Sequence, residues 1–177
     1  MNKLLTIAFI SMLTFSVKGQ DSLKTVDGVV AAFYTAFQQS EGEQRKAQLT
    51  NLLLPGAQMN SVTSGAKGET RFAQGKMDRF LYNSAAFYNK YSLFLDEYDR
   101  SVDFYADMAS VNSIVYQTLV EKSSKQQFKN ELWFAMDLVY QGNRWYIAQV
   151  TWTAGQSGGN LPQAVSTDTL WHRIEGR

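Results

Sequence analysis

The stretch that most constrains this chain is Phe128–Thr153, FKNELWFAMDLVYQGNRWYIAQVTWT, where two long alternating segments flank Gln141-Gly142-Asn143. Alternation with period two marks a strand with one covered face, and Gly and Asn accept the positive φ of a tight hairpin turn. Parity places Phe128, Asn130, Leu132, Phe134, Met136, Leu138 and Tyr140 on one face, almost wholly apolar. Lys129, Glu131, Trp133, Ala135, Asp137 and Val139 take the other. On the second strand Tyr146, Ala148, Val150 and Trp152 fall together, opposite Trp145, Ile147, Gln149 and Thr151. The apolar set must lie against something, and helices are the expected cover. A single β-bulge would exchange these assignments locally.

The cover is found upstream. Ser22 is the expected N-cap of a helix running to about Gln39, with Val26, Val30, Phe33 and Phe37 on one face. Ser40 and Glu43 have capping-box spacing for a second helix that ends at Leu54, before Pro55-Gly56, and buries Leu49, Leu52 and Leu53. A short strand follows over Ala57–Thr63, then a Ser/Gly/Lys-rich turn through Gly68, with Thr70–Ala73 pairing back as an edge strand. Met77 to about Tyr91 reads as a third helix with Met77, Phe80, Leu81, Ser84, Phe87, Tyr88 and Tyr91 in its buried stripe. Leu93–Tyr105 and Ala109–Val120, joined near Ala106-Asp107, make a first long hairpin ahead of the last one. Helices followed by a run of antiparallel strands is the α+β pattern. With 177 residues, 45% of them hydrophobic, one domain with a sizeable core is expected over residues 20–153.

The ends read differently. Lys3, the apolar run Leu4–Phe15 and Val17-Lys18-Gly19 have the layout of a secretory signal over Met1–Gly19, and the run falls short of the roughly 20 residues that span a bilayer. The mature chain is therefore expected to begin near Gln20 and to be exported, periplasmic or secreted. Residues 154–177 comprise a Gly/Ser linker, AGQSGGN, and a tail, Leu161–Arg177. The closing Ile174-Glu175-Gly176-Arg177 resembles a protease-recognition sequence and carries no functional weight.

Absences narrow the chemistry. There is no cysteine, which removes disulfides, thiolate catalysis and cysteine-bound metal, and a single histidine, His172, removes two-histidine mechanisms. Seventeen basic against sixteen acidic residues give a net charge of +1 and no like-charge run, so neither nucleic acid nor, once the signal is removed, a membrane is an expected partner. No cofactor or metal is expected either.

At this point VDGVVAAFYTAF, LTNLLLPGAQMNSV, LDEYDRSVDFYADMASVNSIVY and GNRWYIAQVTW together resemble the nuclear transport factor 2-like superfamily. The branch is similar to small exported proteins of the polyketide-cyclase-like and ketosteroid-isomerase-like group. The resemblance covers roughly Ser22–Thr153 and implies a cone: a curved antiparallel sheet wrapped around N-terminal helices, with a pocket inside. It does not imply activity, because this fold hosts enzymes, binding modules and transport factors alike. The isomerase chemistry that the resemblance brings into question uses a carboxylate base, a tyrosine and an aspartic acid kept protonated by its apolar surroundings. Laid on that pattern, the tyrosine position falls on Phe33, the base on Ser61 and the buried acid on Met136. None of these can do the required work. Tyr34, one residue along, would restore only the phenol.

The expected reading is accordingly an exported, non-catalytic binding or interaction module. Its cone would be lined by Phe33, Phe37, Phe134 and Met136, with Ala148, Val150 and Trp152 from the last strand. It would accept a small hydrophobic ligand or be filled by its own side chains. Tyr34, Ser61 and Asn130 are the polar positions able to orient a ligand, although a tyrosine in a first helix is commonly core and Asn130 equally a strand-end residue in water. The alternative is an isomerase, cyclase or dehydratase acting on a small carbonyl compound, for which Glu97 and Asp103 are the reasonable carboxylates. Glu97, Asp99 and Asp103 share strand parity; beside Asp96 they ordinarily make a solvated face offset by Arg79, Lys90 or Arg100. Trp133, Val139, Trp145 and Ile147, left on the outer side by parity, are expected to form a homodimer interface.

Overall fold

A computed structural model describes residues 22–64 and 70–154. The expected leader over Met1–Gly19, most of the expected turn through Gly68, and the expected linker and tail with His172 lie outside the described residues. Helix α1 spans Val26–Gln38, α2 Gly42–Leu52 and α3 Met77–Lys90. The strands are β1 (Leu53–Ser64), β2 (Thr70–Lys76), β3 (Tyr91–Tyr105), β4 (Met108–Glu121), β5 (Gln127–Gln141) and β6 (Arg144–Ala154).

The cap of α1 is Thr25 rather than Ser22: its side chain accepts from the Gly28 N–H at 3.1 Å, satisfying one of the free donors of the first turn. A Cβ on Gly28 would lie 1.7 Å from the Ser22 carbonyl oxygen, so glycine lets the incoming chain cross that turn. From there Val26, Val29, Val30, Phe33, Tyr34, Ala36 and Phe37 are buried. The capping box expected for α2 does not form; Glu41 occupies the N-cap without a side-chain bond, and the helix ends at Leu52 where β1 begins. The exposed carbonyls at the end of α1 are covered from outside the helix. Arg45 Nη1 donates to Gln39 O at 2.6 Å with its guanidinium 3.6 Å from the Tyr88 ring centroid, and Tyr88 Oη donates to Phe37 O at 2.5 Å. A buried cation at that pole opposes the negative end of the helix dipole.

The six strands form one sheet in the order β2-β1-β6-β5-β4-β3. Four neighbouring pairs are antiparallel, as expected, but β1 and β6 run parallel. The reason is connectivity: α3 carries the chain from β2 to the far edge at β3, and the meander β3-β4-β5-β6 returns to β1 in the same sense. The final hairpin closes between Gln141 and Arg144 with Gly142 at φ +59° and Asn143 at φ +69°. Positive φ at both central residues is the type I′ turn that matches strand twist.

Two bulges decide which residues face inward. On β3, Glu97 pairs with Val115 and Asp99 with Ile114, so Tyr98 is the extra residue. On β6, Leu138 pairs with Ile147 and Asp137 with Gln149, leaving Ala148 as the extra residue. The parallel pairing to β1 slips at the same place, passing from Leu53/Ile147 to Gln58/Gln149 across Pro55-Gly56, with Gly56 at φ +85°. Proline has no N–H for a ladder bond, so a break there is where a sheet tolerates it. The face occupied by the three helices thereby keeps Val150 and Trp152 beyond the bulge and gains Trp145 and Ile147 before it; all four are buried.

Candidate functional site

The interior of the cone is the first place to look, and among the described residues it is packed with buried aromatic side chains. Phe33, Phe37, Phe80, Phe134 and Trp152 are nearly free of solvent contact and pack ring against ring, with Phe37 stacked on Phe80 at 5.3 Å and 5.9 Å from Trp152. Phe134 meets Phe33 at 6.2 Å and Tyr34 at 5.3 Å, edge to face. Each such pair adds about 0.5–1.5 kcal/mol beyond its buried area. The positions that the resemblance places at the isomerase centre, Phe33, Ser61 and Met136, are all inside and at most 1% exposed.

One polar cluster interrupts this interior, between α1 and the β3–β4 pair. Tyr34 Oη and Ser113 Oγ lie 2.6 Å apart, both buried. Burial pushes the Tyr34 phenol above its ordinary range; the Ser113 hydrogen bond pulls it back, and the charge of Glu97 raises it further. Arg100 pairs across the sheet with Ser113, and Glu97 with Val115, which sets both on the helix side. Arg100 Nε donates to Glu97 Oε1 at 2.9 Å, its Nη2 bonds Glu97 Oε2, and its Nη1 bonds Asp27 Oδ1 on α1. Both oxygens of Glu97 are therefore spent on one guanidinium, in the bidentate geometry that suits an ionised carboxylate.

The bulge at Tyr98 corrects the acidic set. Glu97 turns inward, while Asp99 and Asp103 turn outward with Asp96, opposite Ile114, Ser110 and Tyr116. Among the described residues no three acids or histidines converge as a metal site would require. Of the other expected lining residues, Asn130 is 7% exposed on the helix side rather than in water. Val150 and Trp152 line the interior, but Ala148 is the half-buried residue of the β6 bulge, and Ile147 fills the place expected of it. Outside the cone, an open groove of about 430 Å³ between α1 and α2 is lined by Leu23, Gly28, Ala31, Ala32 and Leu52 with Ser22, Thr35, Gln48 and Asn51.

The outer face of the sheet also departs from expectation. Trp145 and Ile147 are buried beneath α1's side of the sheet, so the four-residue outer patch keeps only Trp133 and a half-buried Val139. In its place stands a cluster that parity alone did not group. Tyr98 and Tyr116 stack at 4.2 Å between centroids, 17° from parallel. Tyr98 Oη donates to Glu131 Oε2 at 2.8 Å and Trp133 Nε1 to Glu131 Oε1 at 2.6 Å. These donors, Trp133 first, hold the Glu131 carboxyl below the usual carboxylate range, and the bond to Glu131 pushes the Tyr98 phenol up. All three rings are about half exposed. The signal available for this cluster was the strand pairing of Tyr116 with Glu131, which follows only once the β4–β5 register is known.

No protein-family model matches the chain, and no curated protein matches it in sequence. Solved structures do. A candidate dehydratase of the nuclear transport factor 2-like family from Streptomyces avermitilis shares 14% identity over 78% of this chain and 99% of its own, with a TM-score of 0.58. An uncharacterised protein with a cystatin-like fold from Caulobacter vibrioides is 13% identical over 80% and 92% of the two chains, at a TM-score of 0.53. A candidate calcium/calmodulin-dependent protein kinase II association domain from Xanthomonas campestris is 14% identical over 75% and 86%, at 0.54. The chain has the nuclear transport factor 2-like cone fold: α+β, with a mixed six-stranded sheet that does not close.

Proposed function

We propose that this protein is an exported, non-catalytic interaction module that binds through its surface rather than inside its cone. The observation that carries the reading is the interior itself, where Phe33, Phe37, Phe80, Phe134 and Trp152 occupy the space a ligand would take. The inward carboxylate, Glu97, supports it, since Arg100 takes both of its oxygens. Export rests on the leader pattern of Met1–Gly19. Native mass spectrometry of the purified protein is expected to give the mass of the chain from near Gln20 with no retained small hydrophobe. A bound hydrophobe that disappears in a Phe134→Trp variant would overturn the filled-cone reading.

A second reading is an isomerase or dehydratase acting on a small carbonyl compound. It draws on the candidate dehydratase among the similar structures and on the placement of Glu97 beside the Tyr34–Ser113 hydroxyl pair. Its test is double-bond migration in a model enone and dehydration of a β-hydroxy carbonyl compound. Turnover abolished by Glu97→Gln with the fold intact would establish it over the first reading; the expected result is no turnover in either protein.

A further inference from the structure

We infer that the outer face of β3–β5 is a docking surface for an extended, arginine-rich segment of a partner polypeptide, an inference that rests on the interaction-module reading and names its partner. Strand parity turns six charged side chains outward on these strands: Asp96, Asp99, Asp103, Glu131 and Asp137 are acidic, and Lys129 alone is basic. The chain as a whole has a net charge of +1, so this is a local segregation. None of the five acids forms an ion pair among the described residues; Glu131 is bonded to neutral donors and Asp137 accepts from Ser110.

Between these acids stand the half-exposed rings of Tyr98, Tyr116 and Trp133. Two of the three are oriented by hydrogen bonds to one carboxylate, and the third stacks on Tyr98. Rings held in this way lose little freedom on binding and present their faces to a partner. A guanidinium is the group that uses both features, since it stacks on an aromatic face and forks onto a carboxylate. The outward acids of β3 run from Asp96 to Asp103, about 23 Å at the usual strand rise, on a strip of three strands about 10 Å wide. Those dimensions suit an extended chain better than a compact small molecule. A second copy of this protein is a poorer fit, because a two-fold contact would set one acidic face against another. The bulge at Tyr98 and the aspartates also block β3 from adding a strand at its edge, so the partner lies across the face.

The test uses the purified chain and fluorescein-labelled nona-arginine, nona-lysine and nona-glutamate, read by fluorescence anisotropy. Nona-arginine is expected to bind, more tightly than nona-lysine, with affinity falling as salt rises, while nona-glutamate does not bind. An Asp96→Asn/Asp99→Asn/Asp103→Asn variant and a Tyr116→Ala/Trp133→Ala variant should each weaken nona-arginine by about tenfold or more. Asn112→Lys, an exposed single change on the same face, should weaken it as well and serves if the double variant does not fold. Three results would overturn the inference. One is no binding of nona-arginine, which would leave the interaction-module reading standing with a different partner. Another is undiminished binding by the aromatic variant, which would mean diffuse electrostatics. The last is a stable dimer in sedimentation that Tyr116→Ala/Trp133→Ala converts to monomer, which would assign the face to a second copy.

Discussion

Trp133 and Phe134 are neighbours in sequence and belong to different chemistries. Phe134 is 2% exposed and touches four other aromatic rings. Trp133 is 53% exposed, and its indole N–H is fixed by Glu131. On the inner face aromatics replace water with one another. On the outer face they are oriented by a carboxylate and left in contact with solvent. The same residue types serve stability on one side and presentation on the other, and what separates them is strand parity as modified by two bulges.

The largest effect should come from testing the β6 bulge. If strict alternation held, Ile147 would face outward and would tolerate a charge, as is expected of Val139. With the bulge at Ala148 it is fully buried beside Leu138. Ile147→Asp is therefore expected to cost more than about 4 kcal/mol, or to prevent folding, because an unpaired charge would be forced into the core. Val139→Asp, one strand over and half exposed, should remain within about 1 kcal/mol of wild type. Denaturant midpoints of the two variants measure the contrast; equal tolerance would mean that β6 slides by one residue.

Next in size is the neighbouring pair itself. Phe134→Ala should destabilise by about 3–5 kcal/mol, since the surrounding rings cannot collapse fully onto the space left. Trp133→Ala should change stability by no more than about 0.5 kcal/mol. Urea unfolding at one temperature compares them directly. A large loss at Trp133 would place the outer cluster among the elements that hold the fold, rather than among those that present a surface.

The buried hydroxyl pair gives a smaller and more diagnostic effect. Tyr34→Phe leaves Ser113 Oγ buried without its partner and is expected to cost about 1–3 kcal/mol. Ser113→Ala orphans the phenol in the same way. The double variant should cost less than the sum of the two, because both polar groups leave together. Additivity in that cycle would show that the 2.6 Å contact contributes nothing of its own.

How much of this was legible beforehand follows from what each feature depends on. The final hairpin was readable because its turn is set by local chemistry, Gly142 and Asn143 at positive φ. The inner face of α1 was readable because Val26, Val30, Phe33 and Phe37 repeat at helical spacing. Parity was correct from Phe128 to Leu138, then failed at Trp145 and Ile147, because a bulge is a one-residue choice made by both neighbouring strands and has no residue signature of its own. The same failure at Tyr98 separated Glu97 from Asp99 and Asp103. Tyr34 was named from sequence, but its partner Ser113 is 79 residues away and becomes visible only through topology. The N-cap was misplaced for a simpler reason: Ser22 and Thr25 are both capping residues, and the close approach at Gly28 selects the second.

The smallest expected effect concerns the outer face in acid. In the folded chain the Glu131 carboxyl is held below its ordinary range by bonds from Trp133 and Tyr98 that only the ionised form accepts fully. A depressed folded-state pKa means that the unfolded chain takes up the proton first as pH falls. The stabilisation from these bonds is therefore complete above the unfolded pKa of a glutamate and is lost as pH falls through the lower folded value. Because the group is exposed, the change in overall stability should be slight, and the readout must be local. Trp133 supplies it: protonation of Glu131 removes the acceptor of its indole N–H, so its fluorescence should shift below the usual carboxylate range while far-ultraviolet circular dichroism stays constant. Glu131→Gln should abolish that acid transition, with the three remaining tryptophans as an internal baseline. A transition that survives Glu131→Gln would mean that the rings are oriented by some other contact, and the contrast between a packed inner face and a carboxylate-ordered outer face would lose its outer half.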